Sequence, residues 1–270
     1  MGRDTTSHSR STTRAFTYEA AGRTLFAAEA GVGWPLVMFH GGLADHRAVQ
    51  LLIPEPPAGV RLITPDVRGS GRSVDPGPLS WSRLADDVAA LLDRLGLERA
   101  VVGGTSIGNG VAVAFALRYP NRTAGTVFVH PVHAGGGPTG ALAAALDEMH
   151  AAAERAVEEG IEALRPLYAR LPSELRDRAW AVAREFDPAS CLASTTLYRG
   201  AEQPLADLSE LRGIAVPALV VPGSDAMHPA ELGEAYADSL TGATILGNRE
   251  TLEPAITRLC GALGPIGTRG

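Results

Sequence analysis

Near-continuous apolar runs alternate with helical periodicity along the first half of the chain. AFTYEA (15–20), TLFAAEA (24–30), PLVMF (35–39), RLITP (61–65), RAVVGG (99–104) and GTVFVH (125–130) read as strands. Several lack the apolar–polar alternation of a half-exposed sheet, which suits strands buried on both faces of a parallel one. In WSRLADDVAALLDRLG, residues Trp81, Leu84, Val88, Leu91, Leu92 and Leu95 share one helical face, and Gly96 is suited to end the helix. A second helix is expected from about Ile107 to Arg118, stopping before Pro120.

The pattern then changes. From about Pro138 to Leu211 strand signal fades, and LAAALDEMHAAAERAVEEGIEALRPLYARL and SELRDRAWAVAREF read as amphipathic helices. A buried strand follows within IAVPALVVPGSD (214–225), then two helices and the short strand ATIL (243–246). The order is βαβα, a helical insertion, then βαβα. That predicts an α/β core over 15–137 and 212–265, with a helical cap over 138–211 above the strand ends. Residues 1–14 are polar, rich in Ser, Thr and Arg, and read as a flexible tail.

Composition narrows the function. Net charge is −6, which disfavours nucleic acid as a partner. No apolar run reaches the roughly 18 residues of a membrane span, and the N-terminus has no apolar signal core. Cytoplasmic location is the default expectation. Cys191 and Cys260 form no ligand spacing. All 24 basic residues are arginine, which removes Schiff-base chemistry and a Walker A lysine. No cofactor motif is present, and HPVH (130–133) without clustered carboxylates or cysteines makes a weak metal site.

The chemistry-bearing motif is GGTSIGNG (103–110). Its Gly104-Thr105-Ser106-Ile107-Gly108 directly follows a strand and opens a helix, the setting of a nucleophile elbow that lifts a serine above the sheet edge. The spacing does not fit a dinucleotide GxGxxG. With His40-Gly41-Gly42, the turn Arg68-Gly69-Ser70-Gly71-Arg72-Ser73 and Pro222-Gly223-Ser224-Asp225, it gives a chain that resembles the α/β-hydrolase superfamily over about residues 15–265. The resemblance implies a mostly parallel eight-stranded sheet flanked by helices, with a helical cap. It implies Ser106 as nucleophile and Asp225 as the acid that orients an imidazole. It also implies the N–H groups of Gly42 and Ile107 as oxyanion donors. His40 and the arginines of the RGSGRS turn are expected to make structural contacts. Gly41 and Leu43 of the same loop, Trp180 of the cap and Asn248 are read as substrate contacts.

Where the family pattern carries its catalytic histidine, after Gly247, this chain has Asn248, followed by Arg249. An amide is not basic near neutral pH, so Asn248 cannot take a proton from Ser106. The base must come from elsewhere. No histidine follows His228. His130 and His133 end the strand expected beside the nucleophile strand, and neighbouring strands lie only about 4.8 Å apart. His228 stands three residues after Asp225. These three are the candidates. The leading expectation is hydrolysis of a small ester, lactone, thioester or amide through Ser106 with a displaced base. The alternatives are a non-hydrolytic epimerase, cyclase or lyase working through an enolate in a natural-product pathway, and a ligand-binding protein without catalysis. A small-molecule or peptide-like substrate fits the first two.

Overall fold

Four strands come before the first α-helix: β1 (Arg14–Ala20), β2 (Arg23–Gly31), β3 (Trp34–Phe39) and β4 (Val60–Pro65). The computed structural model describes residues 13–266. Of the expected tail, residues 1–12 lie outside the described residues, and β1 already begins at Arg14. The expected βαβα start is therefore corrected: β1 and β2 form a hairpin, and only a 3-10 turn (His46–Leu51) separates β3 from β4.

Strict alternation follows, through α1 (Trp81–Arg94), β5 (Ala100–Thr105), α2 (Gly108–Arg118) and β6 (Thr123–Val129). The predicted apolar face of α1 is the buried one, and Gly96 ends it at φ +65°. The insertion carries α3 (Gly140–Glu159), α4 (Arg165–Tyr168), α5 (Ser173–Ala183) and α6 (Pro188–Arg199), with α3 packed along α6. The chain closes with β7 (Ala218–Val221), α7 (Ala230–Ser239), β8 (Ala243–Ile245) and α8 (Leu252–Ala262). β7 is much shorter than the apolar run 214–225, because Pro217 and Pro222 bracket it and neither can donate to the ladder.

The strands pair in the order β1-β2-β4-β3-β5-β6-β7-β8. β1/β2 and β2/β4 are antiparallel and the remaining pairs parallel. β3, β5 and β6 are buried on almost every residue, as their apolar runs predicted. One apolar cluster fills the sheet face under α1, α2 and α7, and a second fills the face under α8. In an α/β sheet ligands meet the carboxyl ends of the strands, so the loops after β3, β5, β6 and β7 frame the site. No helix among the described residues is long and apolar enough to cross a membrane.

The RGSGRS turn is held from inside. The fully buried Arg68 guanidinium donates to both carboxylate oxygens of Asp87 (2.7 and 2.6 Å), to Asp75 (2.8 Å) and to the Ala20 carbonyl (2.8 Å). Arg72 lies over the Phe26 ring, 4.1 Å from its centroid. On α6, Ser194 donates to the Gly69 carbonyl and Ser190 accepts from the Asp75 N–H, which roots the insertion on this turn.

Two predictions follow from the buried polar groups. Arg68→Met strands two buried carboxylates, and urea denaturation is expected to show a loss of about 3–5 kcal/mol. His40 and His133 are both buried, and burial holds each imidazole below its ordinary 6.5. A depressed folded pKa gives stability that is complete above 6.5 and drains away as pH falls toward the folded value, because the unfolded chain takes up the proton first. The urea midpoint is therefore expected to drop between pH 7 and pH 5, and to drop less in His133→Gln.

Candidate functional site

The elbow forms because the chain must reverse from β5 into α2 within three residues. Ser106 takes φ +52°, a left-handed conformation costing a non-glycine residue roughly 1–3 kcal/mol. A Cβ on Gly104 would collide with the Gly108 backbone, and one on Gly108 would meet the His40 carbonyl at 2.5 Å. The two glycines of GxSxG are thus required by packing. The strain is held by hydrogen bonds: Ser106 N–H donates to the Val129 carbonyl, and the buried Asn109 side chain brackets Val129 through its N–H (3.2 Å) and its carbonyl (2.8 Å). The one sequence cue to this use of Asn109 is a polar side chain in the first turn of an otherwise apolar helix.

Ser106 Oγ lies 3.0 Å from His228 Nε2. The other ring nitrogen, Nδ1, lies 3.0 Å from both carboxylate oxygens of Asp225. A carboxylate only accepts, so Nδ1 carries the proton and Nε2 offers its lone pair to the Ser106 hydroxyl. The same carboxylate accepts from the N–H groups of Met227 (2.8 Å) and His228 (3.0 Å), winding residues 225–228 into a tight turn. Gly223 makes room for it, since a Cβ there would strike the His228 backbone. Partial burial pulls the Asp225 carboxyl upward. The bonds from the His228 imidazole and the two backbone N–H groups outweigh that and hold it below the usual carboxylate range. Helix α7 starts later, at Ala230, so Asp225 is not its N-cap.

The other two histidines are placed differently. His130 follows β6 at φ +51°, its N–H on the Val221 carbonyl and its ring centroid 5.7 Å from that of His228. His133 is buried behind the start of α2. Its Nδ1 meets Gln203 Oε1 (2.8 Å), its Nε2 faces the Ile107 carbonyl (3.5 Å), and its ring meets Trp81 edge-on. The structure does not bring His133 to Ser106; a side chain 70 residues away turns it inward.

The loop after β3 lies against the elbow. A Cβ on Gly41 would be 3.5 Å from Ser106 Cβ, and one on Gly42 would touch Ile107 and Met149. The Gly42 and Ile107 N–H groups meet no acceptor among the described residues. His40 fixes this loop, with Nδ1 on the Gly41 carbonyl (2.8 Å) and Nε2 accepting from the Val67 N–H (3.0 Å). Leu43 sits at φ +47° and is buried among residues of the α3–α6 insertion. Asp45, His46 and Asp66 cluster nearby, but each is engaged: Asp45 with Arg47, and Asp66 with His46 and the Arg72 N–H.

Two further expected substrate contacts, Asn248 and Trp180, have partners of their own. Asn248 is exposed, and its oxygens serve its own turn, accepting from the Thr251 N–H and hydroxyl. Trp180 packs on Tyr168 within the cap cluster, under Arg165. A cavity of about 370 Å³ lies between α5 and the loop 43–51, walled by Leu43, Tyr168, Leu175, Val182 and Phe186. A second, of about 260 Å³, borders the residues flanking His228.

Residues 35–157 match the family model described as alpha/beta hydrolase fold. The chain is 36% identical over 108 residues to 2-hydroxymuconate semialdehyde hydrolase of Pseudomonas sp. (strain CF600), an alignment covering 38% of each chain. It thus spans about two fifths of the length of the curated relatives it matches. A thermophilic esterase from Thermogutta terrifontis has a TM-score of 0.70 at 26% identity, over 93% of this chain and 96% of that one. An esterase from Exiguobacterium antarcticum has a TM-score of 0.74 at 19% identity, over 91% and 99%, a likeness of fold alone. Sheet order, elbow and matched segment agree: the chain has the α/β-hydrolase fold.

Proposed function

We propose that the protein is a serine hydrolase that cleaves an ester, lactone, thioester or amide by acyl transfer. The observation that carries this reading is the unbroken Ser106–His228–Asp225 chain of hydrogen bonds, with 3.0 Å at each link. In this reading the base missing at Asn248 is supplied three residues after the acid.

Ser106 Oγ attacks the substrate carbonyl carbon as its proton passes to His228 Nε2. Asp225 stabilises the imidazolium that forms and holds the ring in the tautomer that accepts at Nε2. The carbonyl oxygen becomes an oxyanion held by the Gly42 and Ile107 N–H groups, with the N-terminus of α2 behind them favouring negative charge. His228 returns the proton to the leaving group, and water then attacks the acyl-serine by the same route. His228 Nε2 is engaged by the serine hydroxyl, which favours this path over an enolate mechanism, where the base would face a substrate carbon. The hydrolases and esterases among the similar proteins support the same reaction class.

Hydrolysis of p-nitrophenyl acetate tests the proposal. Ser106→Ala and His228→Ala are each expected to lower kcat about 10⁴-fold or more, and Asp225→Asn nearly as much. A His228→Ala variant that kept most of its activity would sink the proposal.

A further inference from the structure

Leu43 directly follows Gly42, the residue that supplies one oxyanion donor in the reaction proposed above, on which this inference rests. It holds φ +47°, a conformation that a branched side chain does not choose by itself. Its carbonyl accepts a 2.6 Å hydrogen bond from the Tyr168 hydroxyl, 125 residues away at the end of α4. Both residues are largely buried, which strengthens this bond. Tyr168 is itself fixed: its ring packs on Trp180, and Leu164, Phe186 and Cys191 complete the cluster that also holds the Leu43 side chain. The peptide plane between Leu43 and Ala44 is thus clamped from the cap side. The preceding loop is clamped from the core side by His40 through the Gly41 carbonyl.

We propose that Tyr168 is a positioning residue: through the Leu43 carbonyl it holds the left-handed turn that aims the Gly42 N–H at the substrate oxygen. Catalytic competence of the core then depends on the seating of a cap residue. A Tyr168→Phe change keeps the ring in its cluster and removes only the hydroxyl. Leu43 loses its tether, and the turn relaxes toward ordinary backbone angles. The donor is misdirected for the transition state, while the substrate's other contacts stay in place.

The test uses the full chain. Tyr168→Phe is expected to lower kcat for p-nitrophenyl acetate about tenfold with KM within twofold, since it removes an interaction felt in the transition state. Affinity for phenylboronic acid, whose adduct with serine places an oxygen in the oxyanion hole, is expected to fall by a similar factor. Leu164→Val loosens the same cluster without touching the hydrogen bond, and is expected to leave kcat near wild type. Hydrogen exchange over residues 40–46 is expected to quicken in Tyr168→Phe alone. Unchanged exchange there, an unchanged kcat, or an equal loss of kcat in Leu164→Val would each overturn the positioning role. A wild-type protein that neither hydrolyses the ester nor binds the boronate would overturn the hydrolase reading and the catalytic part of this one. The exchange experiment would still report whether Tyr168 holds the loop.

Discussion

The His228 imidazole is the contact on which the rest of the site depends. It touches Ser106 Oγ with one nitrogen and the Asp225 carboxylate with the other, each at 3.0 Å. Everything nearby serves to bring those three groups together. The elbow holds Ser106 in a strained conformation that β6 stabilises through Val129 and Asn109. The short β7 lies between two prolines, and the turn after it winds tightly enough to bring together Asp225 and His228, three residues apart. Gly223 leaves space for that turn. Asp225 and His228, on one short loop, need fewer long-range contacts to align them than residues on separate loops, because the backbone bonds from residues 227 and 228 to Asp225 already set the geometry.

The remainder of the site is an exercise in holding backbone donors still. The loop after β3 is gripped on one side by His40, whose imidazole burial holds below its ordinary pKa, and on the other by Tyr168 of the insertion. The insertion is in turn rooted on the RGSGRS turn through Ser190 and Ser194. Below that turn, Arg68 neutralises two buried carboxylates. Insertion, turn and loop form one mechanical unit, in which polar bonds fix positions and apolar clusters supply the stability.

Much of this was legible in the chain. Buried strands announce themselves through unbroken apolar runs, and GxSxG after a strand fixes the place of Ser106. Asp225 follows from its position beyond the PALVVPG run. The sequence narrows the candidate base to three histidines and no further, for a physical reason. All three fall near the same sheet edge, and which of them faces the serine depends on side-chain partners far away in sequence. His133 is drawn inward by Gln203, and Asn248 is turned to its own helix start. The hairpin start of the sheet is not legible in sequence, because antiparallel and parallel strands look alike when both are apolar. The bond from Tyr168 to Leu43 joins residues 125 apart and leaves no local trace.

The most direct test of the central assignment is the rate at which a fluorophosphonate probe modifies the protein, followed by intact mass. The modification is expected to fall on Ser106. It should slow by about a hundredfold or more in His228→Ala, which loses the base, and far less in His130→Ala, which leaves the His228 imidazole in place. Equal rates in wild type and His228→Ala, or a collapse confined to His130→Ala, would contradict the account and move the base to another residue.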